Sequence, residues 1–153
     1  MKKDAVVQGE RIVDYPELEG FDLDQTLIGT LDMTFEKFSP DLVVLKMPVG
    51  PKTWQPYGLL HGGASVALAE TAASMGTALN IDRETQMAVG MEINANHVKG
   101  KRDGIVTAEA RPLHKGRTTM VWDIQIKDEG DRLICVSRCT VAIVPKRKSS
   151  RRG

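Results

Sequence analysis

Apolar and polar residues follow two contrasting patterns in the first half of the chain. Residues 31–38 alternate, which is typical of a half-buried strand, and the turn Ser39-Pro40-Asp41 leads into a second strand-like run at 42–47. Residues 63–80 are instead rich in Ala and Leu and apolar on nearly every face, which predicts a buried helix. A helical turn that begins near Asp22 and closes at 26–29 is predicted before the first strand.

Four longer strand-like runs follow the helix, and turn-forming residues separate them. They span 87–99, 105–113, 118–127 and 132–144. In the third run Met120, Trp122, Ile124 and Ile126 share one face. The hairpin-like spacing favours an antiparallel sheet. Since a sheet that curls around a single apolar helix is an economical way to bury it, we predict an α+β fold of this kind.

The chain length and the changes in composition predict one domain with two flanking segments. The chain has 153 residues, enough for one domain with an adequate core, which we place at 21–144. Residues 1–20 mix charges and contain Pro16 and Gly20, which indicates an extension outside the core. Residues 145–153 are strongly basic and are predicted to be disordered.

Composition argues against several classes of partner. The 21 basic and 20 acidic residues leave a net charge of +1, and aromatic residues make up only 5%. No specific nucleic-acid partner and no membrane partner is therefore expected. The first thirty residues contain no long apolar run, so a secretory signal is not predicted and a cytoplasmic location is expected.

The two cysteines do not indicate a disulfide or a metal site. Cys135 and Cys139 lie four residues apart in a strand-like run, so their Cα atoms would be about 13 Å apart. That separation is too large for a mutual disulfide. With no Cys/His cluster in the chain, we expect no structural metal, and both cysteines are predicted to pack as small hydrophobic residues.

The strongest indication of chemistry is Glu70, the only charged residue between Lys52 and Asp82. A glutamate is rarely buried without a partner, because losing its hydration is costly. Glu70 could lie on the one solvated stripe of a surface helix, but the residues near it favour a role in catalysis. His61, Gly62 and Gly63 stand at the predicted start of the helix. Free N–H groups at a helix start, made accessible by glycine, can polarise a carbonyl group.

The order of elements and the run Gln55-Pro-Tyr-Gly-Leu-Leu-His61-Gly-Gly-Ala-Ser resemble the hotdog-fold acyl-CoA thioesterases of the PaaI and 4-hydroxybenzoyl-CoA thioesterase type. Glu70, nine residues after His61, makes the resemblance specific. The segments Val89-Gly-Met-Glu-Ile-Asn-Ala-Asn-His97-Val and Arg111-Pro-Leu-His-Lys-Gly116 are similar to the 1,4-dihydroxy-2-naphthoyl-CoA hydrolases of menaquinone biosynthesis. The resemblance extends over about residues 27–144.

The resemblance implies five catalytic residues. Glu70 would act as nucleophile or as general base, and the Gly62 N–H would polarise the thioester carbonyl. Gln55 and Ser74 would hold the thioester or the attacking water, and His61 would orient or donate to the site. Simpler structural roles stay open for three of them: His61 could only cap the helix, Gln55 could bind backbone, and Ser74 could bond to the carbonyl four residues before it.

The resemblance also implies two patches that bind the substrate, since the phosphates of CoA require cations and free N–H groups. Lys101 and Arg102 are interpreted instead as parts of an ordinary polar hairpin turn. Trp54, Tyr57 and Met91 are candidates either for an aryl pocket or for the core. The implied binding residues are Gly90, His97, Val98, Lys99, Gly100, His114, Lys115, Gly116, Arg117, Thr118 and Thr119.

These observations predict an acyl-CoA thioesterase that needs no cofactor and acts on an aryl acyl group, such as hydroxybenzoyl or 1,4-dihydroxy-2-naphthoyl. The resemblance implies a dimer or a dimer of dimers with shared sites, in which Glu70 comes from one subunit and Gln55, His61 and Gly62 from its partner. One alternative is a hotdog acyl-CoA hydratase or dehydratase, although the placement of His61 differs. The other is a non-catalytic acyl-CoA-binding regulator, but residues 1–25 are too short for a DNA-reading domain.

Overall fold

The computed structural model describes residues 22–147, Gly20 and two short strands, β1 (Val6–Val7) and β2 (Glu10–Arg11), which pair antiparallel with each other. The predictions made for the rest of the N-terminal extension and for 148–153 lie outside the described residues. Within the described part, no helix is both long enough and apolar enough to cross a membrane.

Six antiparallel strands form the main sheet, as the sequence predicts, but their order differs from a run of hairpins. The order is β3-β4-β6-β7-β8-β5, so β5 pairs with β8 at one edge and not with β6, which follows it in sequence. Residues 98–104 carry the chain from that edge back to β6. The strands are β3 (Thr34–Ser39), β4 (Leu42–Pro48), β5 (Gln86–His97), β6 (Ile105–Lys115), β7 (Thr119–Asp128) and β8 (Leu133–Pro145).

Two boundaries differ from the sequence prediction for local reasons. The predicted helical turn is present as a 3₁₀ turn (Leu23–Gln25) followed by α1 (Leu27–Thr30). The next strand begins only at Thr34, because Met33 N donates to Ile28 O and Asp32 has a positive φ of 52°. At the other end the ordered chain continues past residue 144, since β8 includes Pro145 and Lys146 N donates to Thr85 O.

The predicted buried helix is α2 (Gly62–Ala78), which contacts every strand from β4 to β8. Its inner face is made of small and aliphatic residues that are fully buried, so the sheet can approach closely. The face of β7 predicted from the sequence is buried as well. The buried positions of these two faces include Leu68, Ala69, Ala72, Ala73, Met120, Trp122, Ile124 and Ile126.

Both cysteines lie in this core as free thiols, as predicted. Burial raises the pKa of the Cys135 thiol. Burial also raises the pKa of Cys139, to about 12, and the nearby carboxylates of Glu70 and Glu92 contribute to the shift. Both side chains therefore stay neutral and serve packing.

The C-terminal half of α2 is fixed to the sheet by a buried hydrogen bond. Trp122 Nε1 donates to Thr77 Oγ1 at 2.9 Å, and that hydroxyl donates to Ala73 O at 2.9 Å. A Cβ atom placed on Gly76 would overlap the Trp122 ring, so glycine allows the indole to lie directly on the helix. This contact fixes the position of α2 along the sheet.

Candidate active site

The start of α2 presents one free backbone donor. His61 is the N-cap residue, and its Nδ1 accepts a hydrogen bond from Gly63 N at 2.7 Å. The capping role left open from the sequence is therefore present, and in the neutral ring it leaves the proton on Nε2, which can still donate to a ligand. Gly62 N–H has no acceptor among the residues that the structure describes, as expected for the first residue of a helix.

His97 lies directly over this helix start. It closes β5, and a Cβ atom placed on Gly62 would be 2.8 Å from its Nε2. Glycine at position 62 therefore lets the imidazole approach the backbone this closely. The His97 ring lies against Gly62 and the His61 ring against Gly63, so both imidazoles lie at the positive end of the helix dipole.

Glu70 lies two turns further along α2, half-buried beneath β5. A Cβ atom placed on Gly90 would overlap Glu70 Oε1, so the strand passes immediately beside the carboxylate. Among the described residues the carboxylate has neither a hydrogen-bond donor nor a cation. The side chain is positioned by packing and backbone but is left free to act on a ligand.

Ser74 lies on the same face of α2, one turn after Glu70. The hydroxyls of Thr71 and Thr77 donate to the carbonyl four residues before them, at 2.7 and 2.9 Å. Ser74, in contrast, makes no hydrogen bond within the described part of the chain. The structural role left open for Ser74 is therefore not observed, and its hydroxyl is available beside the carboxylate.

Gln55 lies in the loop between β4 and α2, which is closed by backbone hydrogen bonds. Gln55 N donates to Leu59 O at 2.7 Å, and Gly58 N donates to Gln55 O at 2.9 Å. Its side-chain Oε1 accepts a hydrogen bond from Tyr57 N, so the backbone contact considered from the sequence is present. Its Nε2 group bonds to no described residue and remains free to donate.

Within one chain the structure does not bring all the predicted catalytic residues together. Gly62 and Glu70 are eight residues apart on one helix, which corresponds to about 12 Å along its axis. An oxyanion donor and a nucleophile must both lie about 3 Å from the same carbonyl group. A single thioester therefore cannot contact both groups of one chain.

The two predicted binding patches lie at opposite ends of the sheet. Val98 and Lys99 both donate backbone N–H groups to Ile134 O, whereas Thr118 O accepts from Ile143 N. Ile134 and Ile143 are separated by about 30 Å along β8. One patch therefore lies near the start of α2 and the other near its end.

The patches differ in which cations are free. Lys115 Nζ pairs with Asp41 Oδ1 at 2.6 Å, at the turn between β3 and β4. Lys99 and Arg117 are exposed and have no ion-pair partner within 22–147. Next to Lys115 the chain turns tightly, since Gly116 N donates to Thr119 O at 2.9 Å and a Cβ atom on Gly116 would lie 2.5 Å from His114 Nε2.

The aromatic and Met candidates lie on the surface of the described chain. Trp54, Tyr57 and Met91 are 42%, 84% and 65% exposed, so their alternative interpretation as core residues is wrong. Lys101 and Arg102 bond to protein atoms, and Lys101 pairs with Glu129 at 2.7 Å. The prediction that they belong to a hairpin turn is wrong, because their segment connects β5 to β6, which are not neighbours in the sheet. The pairing of Glu129 with Lys101 could not be predicted from the sequence, because the two residues are 28 positions apart.

An antiparallel sheet packed on one central helix, with a free carboxylate and a free Gly62 N–H at the helix start, is the arrangement expected of a thioester hydrolase of the hotdog fold. The Thioesterase superfamily profile matches residues 57–135, and the chain belongs to this superfamily.

Relatives and solved structures agree with this assignment. The chain is 50% identical over 124 residues to the 1,4-dihydroxy-2-naphthoyl-CoA hydrolase of Listeria monocytogenes serotype 1/2a, covering 81% of this chain and 98% of that one. A crystal structure of a variant of the Pseudomonas aeruginosa thioesterase PA1618 has a TM-score of 0.82 at 42% identity, covering 89% and 97%. A variant of Staphylococcus aureus SAV0944 has a TM-score of 0.78 at 49% identity, covering 79% and 100%.

Proposed function

We propose that this thioesterase hydrolyses an aryl-type acyl-CoA, such as a hydroxybenzoyl- or 1,4-dihydroxy-2-naphthoyl-CoA, to the free acid and CoA. The observation that carries the proposal is the Glu70 carboxylate, half-buried beneath Gly90 without a partner among the described residues. The name of the Listeria relative specifies the dihydroxynaphthoyl substrate for that protein. At 50% identity this supports an aryl substrate here.

The pairing of Gln55 with Glu70 has independent support. Two solved variants of Staphylococcus aureus SAV0944 replace a glutamate and a glutamine by alanine. Those two residues are fifteen positions apart, with the glutamine first, which is the spacing of Gln55 and Glu70. We therefore assign both residues to the catalytic site.

In the proposed reaction Glu70 acts as nucleophile or as general base. As nucleophile, its carboxylate attacks the carbonyl carbon, the C–S bond breaks, the CoA thiolate leaves and is protonated, and water hydrolyses the mixed anhydride. As general base, it takes a proton from a water that attacks the carbonyl directly. Single turnover in ¹⁸O-labelled water tests the anhydride route, because ¹⁸O enters Glu70 only when water attacks the Glu70 carbonyl of the mixed anhydride.

The remaining catalytic groups stabilise the oxyanion or position the thioester and the attacking water. The Gly62 N–H and the positive end of the α2 dipole stabilise the oxyanion that forms during attack. The free Nε2 of Gln55 and the hydroxyl of Ser74 hold the thioester or the water. His61 keeps the helix start in place through Gly63 and directs its own Nε2–H outward as a further donor.

The separation of Gly62 from Glu70 supports a site shared between two copies of the chain. β5 is one of the two edge strands of the sheet, the other being β3, and its Met87, Val89 and Met91 are 41–65% exposed. An apolar edge strand of this kind favours pairing with a second copy. If the two α2 helices then run antiparallel, Gly62 of one copy reaches Glu70 of the other. The assembly is a dimer or a dimer of dimers.

The same arrangement accounts for the binding patches. Two-fold pairing would bring the start of one α2, with His97 and Lys99, to the end of the other, with the turn that contains Arg117. Their free cations and the backbone N–H groups near Gly100 would then contact the phosphates of CoA together. Salt is expected to weaken inhibition by CoA, since these contacts are exposed and screened.

A panel of acyl-CoA hydrolysis rates tests the substrate class. We expect the highest kcat/KM for hydroxynaphthoyl- and hydroxybenzoyl-CoA and lower values for acetyl-CoA, with activity on several aryl thioesters because apolar pockets discriminate weakly. A higher kcat/KM for acetyl- or palmitoyl-CoA than for every aryl-CoA would refute the aryl preference. Sedimentation of a fully active monomer would refute the shared site.

A further inference from the structure

The segment between β5 and β6 holds the loop that carries Gln55. Leu60 N donates to Lys101 O at 2.7 Å, and Trp54 Nε1 donates to Arg102 O at 2.8 Å. These two bonds lie on either side of the tight turn that presents Gln55. The position of the glutamine therefore depends on residues 101 and 102, which are 46 and 47 positions later in the chain.

A third contact comes from the side chain of Arg102, whose Nη1 donates to Tyr57 O at 3.3 Å. This carbonyl lies inside the turn, two residues after Gln55. The guanidinium therefore contacts backbone and is directed towards the loop. Arg102 accordingly supports the turn and is not one of the free cations.

Lys101 is itself held from the opposite side. Its Nζ pairs with Glu129 Oε2 at 2.7 Å, and its side chain is only 10% exposed. Glu129 Oε1 also accepts from Ile105 N at 2.5 Å, so one carboxylate fixes both the segment and the start of β6. The hydrogen bond from Lys101 holds the pKa of Glu129 below its usual value.

We propose that Lys101 and Glu129 are positioning residues for hydrolysis, which act through the loop to set the Gln55 amide and the helix start at His61. The inference rests on the proposed function, since it requires Gln55 to contact the substrate or water. Because the Lys101 ammonium is already paired and nearly inaccessible, it is not a phosphate ligand, unlike the exposed Lys99 two residues before it.

Loss of a phosphate ligand and loss of a positioning residue should change different kinetic constants. Loss of a phosphate ligand raises KM and weakens inhibition by CoA, with kcat unchanged. Loss of a positioning contact lowers kcat, because a displacement of about 1 Å can cost about 100-fold in rate. We therefore expect Lys101→Met to lower kcat about 10- to 100-fold, while KM and the inhibition constant of CoA change less than about twofold.

Two matched variants control this experiment. Lys101→Arg keeps the positive charge and the ion pair, so it is expected to recover most of kcat. Lys127→Met breaks another ion pair at the same β7–β8 turn, that of Lys127 Nζ with Asp131 Oδ1 at 3.2 Å. Among the described residues Lys127 makes no hydrogen bond or ion pair to the Gln55 loop, so kcat should stay unchanged.

A double-mutant cycle and hydrogen exchange complete the test. If Lys101 acts through Gln55, adding Lys101→Met to Gln55→Ala should lower kcat little further. Amide exchange of residues 53–61 should become faster in Lys101→Met than in Lys127→Met, whatever the activity.

The possible results distinguish a failure of the positioning role of Lys101 from a failure of the proposed function. Unchanged exchange at 53–61, or fully additive losses of kcat, overturns the positioning role. If Gln55→Ala and Glu70→Gln both leave kcat unchanged while exchange rises, the proposed function fails and the positioning role fails with it.

Discussion

Near the C-terminus of α2, the Thr77 hydroxyl donates to Ala73 O and accepts from Trp122 Nε1, and Thr77 is fully buried. One turn earlier, the Ser74 hydroxyl bonds to no described residue. Glu70, a further turn back, has no partner within that part of the chain either. The same helix thus contains one fully satisfied polar group and two free ones within three turns.

The difference separates polar groups that stabilise the fold from those kept for a ligand. A buried donor or acceptor without a partner costs about 1–3 kcal/mol, so groups that serve only folding are paired. Glu70 and Ser74 are half-buried and share one face of α2, so that solvent or a ligand can reach them. Substitution of Glu70 or Ser74 should therefore lower activity, whereas substitution of Thr77 should lower stability.

Glu70→Gln should have the largest effect on activity. The change keeps the side-chain shape and removes the nucleophile or base, so kcat should fall at least about 100-fold while the fold persists. Rates with an aryl-CoA and circular dichroism measure the two properties. Glu92→Gln is the control, because Glu92 is a nearby but exposed carboxylate on β5. Retention of more than a few per cent of kcat in Glu70→Gln would remove Glu70 from the mechanism.

Gly90→Ala tests whether the position of the carboxylate matters. The new methyl group would overlap Glu70 Oε1, which is the end of a flexible side chain, so the carboxylate should move and the fold should survive. We expect kcat to fall about 10- to 100-fold. Gly50→Ala is the matched control, since a Cβ atom there meets nothing within 4 Å. Equal kcat values for both variants would contradict the contact between Gly90 and Glu70.

Ser74→Ala tests the second free group. Removal of the hydroxyl should lower kcat on the order of 10- to 1000-fold, as for other groups that position a reactant or donate to it. Thermal unfolding should change little, because the hydroxyl has no bond to lose in the described chain. A fall in stability without a fall in kcat would assign Ser74 to the fold.

Much of the fold was readable in the sequence because burial sets the period of apolar residues. The face of β7 that contains Trp122 and the apolar helix were placed correctly for this reason. The position of β5 was not, because residues 98–104 have the length and composition of a hairpin loop although they cross to a non-adjacent strand. Local spacing carries no information about which strand lies next to which.

The site, like the fold, has features that the local sequence predicts and features that depend on contacts between distant residues. Glu70 stood out because its isolation from other charges is a property of the local sequence. The contacts that hold Gln55 did not, since Trp54 and Arg102 are 48 residues apart in the chain. Nor could the sequence show that Lys99 and Arg117 lie at opposite ends of the sheet, which follows only from the pairing of β8 with its neighbours.

Thr77→Val should lower stability and leave activity unchanged, which is the opposite of the result expected for Ser74→Ala. Valine matches threonine in shape but leaves Trp122 Nε1 without an acceptor in the core, which costs about 1–3 kcal/mol. Tm should fall and kcat should stay within about twofold, since the Thr77 side chain is buried against Trp122 and bonds to none of the proposed catalytic groups. Denaturant unfolding and aryl-CoA turnover, measured on the same preparation, test this. A loss of kcat comparable to that of Ser74→Ala would show that the two ends of α2 are not separable.

Asp128→Asn extends the comparison to the β7–β8 turn, with the smallest expected effect. The buried Asp128 carboxylate accepts from Arg132 Nε at 2.8 Å and from Gly130 N at 2.9 Å. The hydrogen bond from Arg132 lowers the pKa of Asp128 from 3.8 to about 2.

Because the pKa of Asp128 is depressed in the folded state, its ionised form stabilises the protein above about pH 4, its unfolded pKa. That stabilisation is lost as the pH falls towards 2, where the folded-state carboxyl is protonated as well. The Tm difference between the wild type and Asp128→Asn should therefore be constant from pH 5 to 7 and shrink below pH 4. The variant should keep full kcat at neutral pH, because the Asp128 side chain bonds only to Gly130 and Arg132 among the described residues and leaves the pair of Glu129 with Lys101 intact. A Tm difference that grows on acidification would show that Asp128 is not ionised and paired in the folded state.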